Sequence, residues 1–186
     1  GDSTAEKWLS TFDMYLPQVM DGEMSCRSLG IRNFAVAGET FAQQFARLQA
    51  NGPGLASIIC MVAGTNEGQA GTSADDFAVQ VQQFIDYCYA NGRTPMLVEP
   101  WMWYSNTFIG GAGQACANYD GVSELREAGK RVAAGAGAIY VSTTHELPAP
   151  LPEYFNSGLD PLLRDDIHQS ELGYRLYAEL IGSHIV

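Results

Sequence analysis

The sequence predicts an α/β fold on a mainly parallel sheet, for three reasons. Apolar runs of strand length recur along the chain, in "IRNFAVAG", "ASIICMVAG", "TPMLVEP" and "AIYVST". Segments with apolar residues at helical spacing lie between them, and glycine or proline marks the junctions. Strands that alternate with helices are joined by crossovers, and crossovers make parallel sheets. A chain of 186 residues is long enough for one core and short for two, so residues 1–186 are expected to form a single domain.

The elements follow in chain order. Leu9, Phe12 and Leu16 recur at helical spacing until Pro17, which predicts a helix behind the opening "GDSTAEKW". "IRNFAVAG" predicts a short strand, Ile31 to Val36, ending at Gly38. Phe41, Phe45 and Leu48 mark a second helix, closed by the turn "NGPG". The unbroken apolar run between Ser57 and Val62 fits a strand covered on both faces. The third helix is the best delimited. Ser73 with Asp76 three places on has the form of a capping box, Phe77, Val81, Phe84, Ile85 and Cys88 form one stripe, and Gly92 follows the end. "TPMLVEP" is the next strand, and a helix spans roughly Val122 to Val132 by its apolar spacing. Strand "AIYVST", a long proline-rich loop and a last helix carrying Leu172, Leu176 and Leu180 complete the chain.

Composition narrows the function. Hydrophobic residues make up 46% and charged residues 17%, the balance of a globular protein. No apolar run approaches the roughly 18 residues that cross a bilayer, so no membrane insertion is expected. Twenty-one acidic against 10 basic residues give a net charge of -11, which repels phosphate backbones, so nucleic acid is not an expected partner. Cys26, Cys60, Cys88 and Cys116 show no C-x-x-C spacing and suggest neither a zinc site nor a thioredoxin-like pair. Cys60 and Cys88 read as small buried hydrophobes. Cys26 and Cys116 fall in loop-like stretches, and a bond between them stays open for an exported protein.

Ligands of parallel sheets bind beyond the carboxyl ends of the strands. That edge holds Gly38, the turn "AGTNEG", the loop "WMWYSNTF" and the stretch around His145. Asn66 follows a buried strand directly, where its amide would suit an oxyanion or simply close a turn. Gly38 stands at a strand-to-helix junction, where a backbone N–H meets an anion without a side chain in the way. In "RDDIHQSELGY", Asp165 and His168 are two residues apart just ahead of a helix, and a bent segment lets the carboxylate orient the imidazole.

"GDS" at the start, a glycine at a strand end, "GTNE" and a late D-x-x-H, in this order, resemble the SGNH (GDSL-type) hydrolase family. The resemblance runs from Gly1 to the final helix. It implies a flavodoxin-like α/β/α sandwich with a mainly parallel five-stranded sheet. It also implies that Ser3 is the nucleophile, that Asp165 and His168 complete the triad, and that Gly38 and Asn66 join the backbone N–H of Ser3 as oxyanion donors. Thr4 stands where the family often has leucine, and Glu67 where it has aspartate. Family members lead into the GDS turn with a buried central strand, so a strand of about four to six residues ahead of Gly1 is expected, lying between the segments Ile31 to Val36 and Ser57 to Val62.

Residue chemistry and resemblance agree on acyl transfer. A serine hydroxyl needs a base to take its proton, and a histidine fixed by a carboxylate supplies one. No metal or organic cofactor is required. His145 lacks an acid at the D-x-x-H spacing, His184 ends the last helix, where the dipole favours a cation, and Asp166 is the local rival of Asp165. Trp101, Trp103 and Tyr104 crowd one loop with Ser105, Asn106 and Thr107, which suits a sugar ring. The expected substrate is therefore a small-molecule or glycan ester, with an acetyl or other short acyl group on a carbohydrate preferred. A lipase, lysophospholipase or thioesterase has the same catalytic core, and a glycan-binding domain without catalysis is the alternative of another class.

Overall fold

Three strands form the sheet among the residues that the computed structural model describes, 34–99, 119–147 and 170–185. They are β1 (Ile58–Val62), β2 (Thr94–Val98) and β3 (Ile139–Val141), all parallel and in the order β1-β2-β3. Cys60 lies beside Met96 and Val62 beside Val98, and β3 enters the ladder with Ile139 beside Met96. Pro95 has no N–H to give, and it sits in the part of β2 that precedes the pairing with β3.

Helix α1 (Phe41–Asn51) precedes β1, helices α2 (Thr65–Ala70) and α3 (Ala74–Ala90) connect β1 to β2, and α4 (Tyr119–Ala136) lies between β2 and β3. The short α5 (Thr143–Glu146) follows β3, and α6 (Glu171–Ser183) is the last helix. Successive residues of a strand point to opposite faces, so the continuous apolar runs serve two cores. On one face Val62, Met96, Val98 and Val141 pack against Tyr174, Tyr177, Ala178 and Ile181 of α6. On the other, Met61, Ala63 and Leu97 pack against α1, α3 and α4 through Phe41, Phe84, Ile85 and Leu125. The α/β class and the parallel sheet expected from the sequence are what the chain adopts, with helices on both faces.

Helix α3 forms as its sequence dictates. Ser73 caps it, its hydroxyl accepting from the Asp76 amide at 3.1 Å, and Phe77, Val81, Phe84, Ile85 and Cys88 are all buried. Burial pushes the Cys88 thiol up to about 12, which leaves it an inert hydrophobe. Phe41, the first residue of α1, meets Phe77 and Phe84 edge-to-face at 5.6 and 5.7 Å. Such pairs add about 0.5–1.5 kcal/mol each beyond their area burial.

The described residues hold three strands, and the count of five implied by the resemblance takes in residues outside them. Two expectations change. Residues 34–36 of the expected first strand carry no ladder there, and Phe34 and Val36 are exposed. The chain instead turns at Ala37 and Gly38, with Gly38 at φ +78°, and the Phe34 carbonyl accepts from Arg47 of α1. Cys60 is exposed rather than buried, although its β1 neighbours Met61 and Val62 are core residues. In α6 the buried face is Tyr174, Tyr177, Ala178 and Ile181, while Leu172 is exposed and Leu176 and Leu180 are partly buried. Two tyrosines bring more area to the core than the leucines do, and they set the phase of the helix.

Candidate active site

The carboxyl end of β1 continues through Ala63 and Gly64 into α2. Gly64 has φ +128°, a backbone conformation that favours glycine, and it lets the chain turn sharply enough for α2 to begin at once. Asn66 is the second residue of α2, half-buried, and not part of a bare turn. Its amide nitrogen donates to the Glu39 carbonyl at 2.8 Å. Asn66 and the Gly38 turn, 28 positions apart in sequence, are thus brought to one edge of the sheet. A carboxamide nitrogen carries two hydrogens. The Glu39 carbonyl takes one of them, and the same nitrogen carries a second.

The Gly38 turn is held from several sides. Glu39 O also accepts from Gln44 Nε2 at 3.2 Å, and the Glu39 carboxylate pairs with the Arg47 guanidinium, Arg47 Nε lying 3.2 Å from Oε1. Thr40 caps α1, with its amide donating to Gln43 Oε1 at 2.9 Å. The next amide, that of Phe41, donates to Glu67 Oε1, and Glu67 Oε2 accepts from the Gly64 amide at 2.7 Å. Glu67 is 1% exposed. A buried carboxylate satisfied by two backbone donors at helix starts is favourable on both counts, since those N–H groups have no partner inside their own helices.

A second polar knot lies at the carboxyl ends of β2 and β3. Glu99, buried, accepts from Tyr140 Oη at 2.7 Å and from Ser142 Oγ at 3.1 Å, and its carbonyl accepts from Tyr177 Oη at 2.9 Å. Burial, and then the neighbouring Glu99 carboxylate, push the Tyr140 phenol well above its ordinary value. Tyr177 ties α6 to the end of β2. Ser170, whose hydroxyl accepts from the Gly173 amide at 3.1 Å, starts α6 two residues after His168.

Of the residues singled out from sequence, Gly38 and Asn66 are described and lie together through Glu39. Ser3, Asp165, His168, Trp101, Trp103 and Tyr104 lie outside the described residues, as do Cys26, Cys116 and Asp166. His145 is exposed on α5, and His184 Nε2 lies 3.2 Å from Glu146 Oε2, so His184 has a carboxylate partner in addition to the helix end. Among the described residues no group of three or more His, Cys, Asp or Glu gathers as a metal site, and no helix is long and apolar enough to cross a membrane.

The model of the GDSL-like lipase/acylhydrolase family matches residues 1–176. The chain belongs to that family. Among solved structures, a putative lipolytic protein of the G-D-S-L family from Desulfitobacterium hafniense DCB-2 matches with a TM-score of 0.73 at 14% identity, covering 99% of this chain and 95% of that one. An alpha/beta hydrolase enzyme from the metagenome of Lake Arreo, Spain, matches with a TM-score of 0.72 at 17% identity, covering 94% and 81%. A catalytic mutant of an acetylxylan esterase from Geobacillus stearothermophilus matches with a TM-score of 0.70 at 14% identity, covering 94% and 80%. At these identities the likeness is one of fold. No curated protein matches.

Within this GDSL-like hydrolase, Glu67 stood out in the sequence only as a departure from the family's aspartate, with no part in the site. Its signal was present, because a Glu three residues after the Gly64 cap is the acidic half of a capping box. The Arg47 and Glu39 pair, eight residues apart across a turn and a helix start, leaves no such pattern.

Proposed function

We propose that the protein is a serine esterase that hydrolyses carboxylic esters through an acyl-enzyme, and that it removes acetyl or other short acyl groups from a carbohydrate. The observation that supports the reading is the hydrogen bond from Asn66 to the Glu39 carbonyl, which holds Asn66 beside the turn that contains Gly38. In this reading His168, oriented by Asp165, takes the proton of the Ser3 hydroxyl as Ser3 attacks the ester carbonyl. The charge that collects on the carbonyl oxygen is met by the N–H groups of Ser3 and Gly38 and by the remaining N–H of Asn66 Nδ2. The protonated His168 then gives its proton to the leaving alcohol. A water molecule, deprotonated by His168, attacks the acyl-Ser3 carbonyl, and the acid leaves as Ser3 recovers its proton. Removing one oxyanion donor typically raises such a barrier by about 3–4 kcal/mol.

The carbohydrate part rests on the loop with Trp101, Trp103 and Tyr104 beside Ser105, Asn106 and Thr107, and on the acetylxylan esterase among the proteins of like fold. Acetate release from acetylated xylooligosaccharides, compared with hydrolysis of p-nitrophenyl esters of rising chain length, tests it. Release of acetate together with preference for the shortest p-nitrophenyl esters is the expected result. Preference for acyl chains of about eight carbons or more would instead favour a lipase, lysophospholipase or thioesterase, since a long chain needs a long apolar site.

A further inference from the structure

We propose that Glu67 is a positioning residue for acyl transfer, its buried carboxylate fastening the start of α1 to the start of α2 so that Gly38 and Asn66 keep one relative placement. The proposal rests on the esterase reading above and deepens it. Phe41 stands three residues after Gly38, and Gly64 stands two residues before Asn66; the two amides that Glu67 accepts from therefore flank both proposed oxyanion donors. The Asn66 bond to Glu39 O joins the same two segments from the solvent side, since Asn66 is half-buried where Glu67 is 1% exposed. Phe41 is itself fixed from behind by Phe77 and Phe84, and Gly64 by its place at the end of β1, so the carboxylate spans two rigid anchors.

The chemistry of the side chain explains why a carboxylate stands here. An ionised carboxylate accepts through both oxygens, whereas a carboxamide turns an N–H₂ toward one of the two backbone donors. Glu67→Gln keeps the size of the residue and breaks one tie. Glu67→Asp keeps two acceptors and shortens their reach by one methylene. Developing charge is stabilised only by donors already in place, so slackening this tie acts on the transition state more than on the bound ester.

The test is steady-state hydrolysis of p-nitrophenyl acetate by the full chain, its Glu67→Gln, Glu67→Asp and Asn66→Ala variants, and the Glu67→Gln/Asn66→Ala double variant. Glu67→Gln is expected to lower kcat by roughly tenfold or more with KM within about twofold, as removal of a transition-state interaction does. Glu67→Asp is expected to fall between the wild type and Glu67→Gln. In the Asn66→Ala background the Gln change should cost only about twofold, because contacts in one network are not additive. An active wild type with fully additive losses, or with a loss confined to KM, would overturn the proposal and leave the esterase reading standing. A wild type without esterase activity would overturn both. Should Glu67→Gln fail to fold, Glu67→Asp and amide exchange decide: protected Phe41 and Gly64 amides in the wild type with reduced kcat in Glu67→Asp support the proposal, and wild-type kinetics in Glu67→Asp overturn it.

Discussion

Gly68 and Val122 meet so closely that a Cβ on Gly68 would lie 2.4 Å from Val122 Cγ2. The contact packs α2 against α4, and α2 is the helix that carries Asn66 and Glu67. Valine is β-branched and has little rotamer freedom on a helix, so it cannot swing aside. Gly68→Ala should therefore destabilise the protein by about 1–3 kcal/mol, the usual cost of overpacking. Urea unfolding checks this, and Val122→Ala in the same chain should restore part of the loss. An unchanged midpoint for Gly68→Ala would show that α2 and α4 are not in contact.

Tyr140 makes stability depend on alkaline pH. Its folded-state pKa lies above the ordinary value of 10.0 because burial and Glu99 disfavour the phenolate. Above that value the unfolded chain gives up the proton while the folded chain keeps it, so the unfolded state binds fewer protons and stability falls as pH rises. The contribution is complete below about pH 10 and is lost above it. Tyr140→Phe removes the titrating group, so the stability gap between wild type and variant should shrink from about pH 9 to about pH 11. Urea midpoints across that range measure it, and a gap independent of pH would contradict the placement of Tyr140 against Glu99.

Asn66→Ala should lower kcat for ester hydrolysis by roughly a hundredfold or more while KM moves little, the pattern of a lost oxyanion donor. Kinetics on p-nitrophenyl acetate read it directly. A large rise in KM with kcat intact would make Asn66 a binding residue.

How much of this was legible in the sequence differs from element to element. Helix α3 was readable from Ser73 to Cys88, because its cap and its stripe are local patterns and tertiary packing agrees with them. Helix α6 was readable as a helix from Leu172, Leu176 and Leu180, while the face it buries is set by Tyr174 and Tyr177. Helix α2 escaped, since its six residues are too short for an apolar period to show. The segment 34–36 looked like a strand by composition, but a strand is made by its partner, and there the Phe34 carbonyl goes to Arg47. The family resemblance singled out Gly38 and Asn66. What joins them, the Glu39 carbonyl, belongs to the backbone and carries no signature in any side chain.

Trp103→Ala tests the substrate. If its ring stacks on sugar, the change should reduce acetate release from an acetylated oligosaccharide by several-fold more than hydrolysis of p-nitrophenyl acetate, in line with roughly 1 kcal/mol or more for an aromatic contact. Equal losses on both substrates would assign Trp103 to structure.

The central claim is that Ser3 is the nucleophile of a serine esterase, and the most direct measurement is to locate a covalent fluorophosphonate adduct. The full chain is treated with the reagent, digested and mapped by mass spectrometry while residual esterase activity is followed. The expected result is a single adduct on the peptide that carries Ser3, with activity lost in step with labelling, because only a serine activated by a base reacts in this way. Full loss of activity with the adduct on another serine, or ester turnover that persists in Ser3→Ala, would contradict the account.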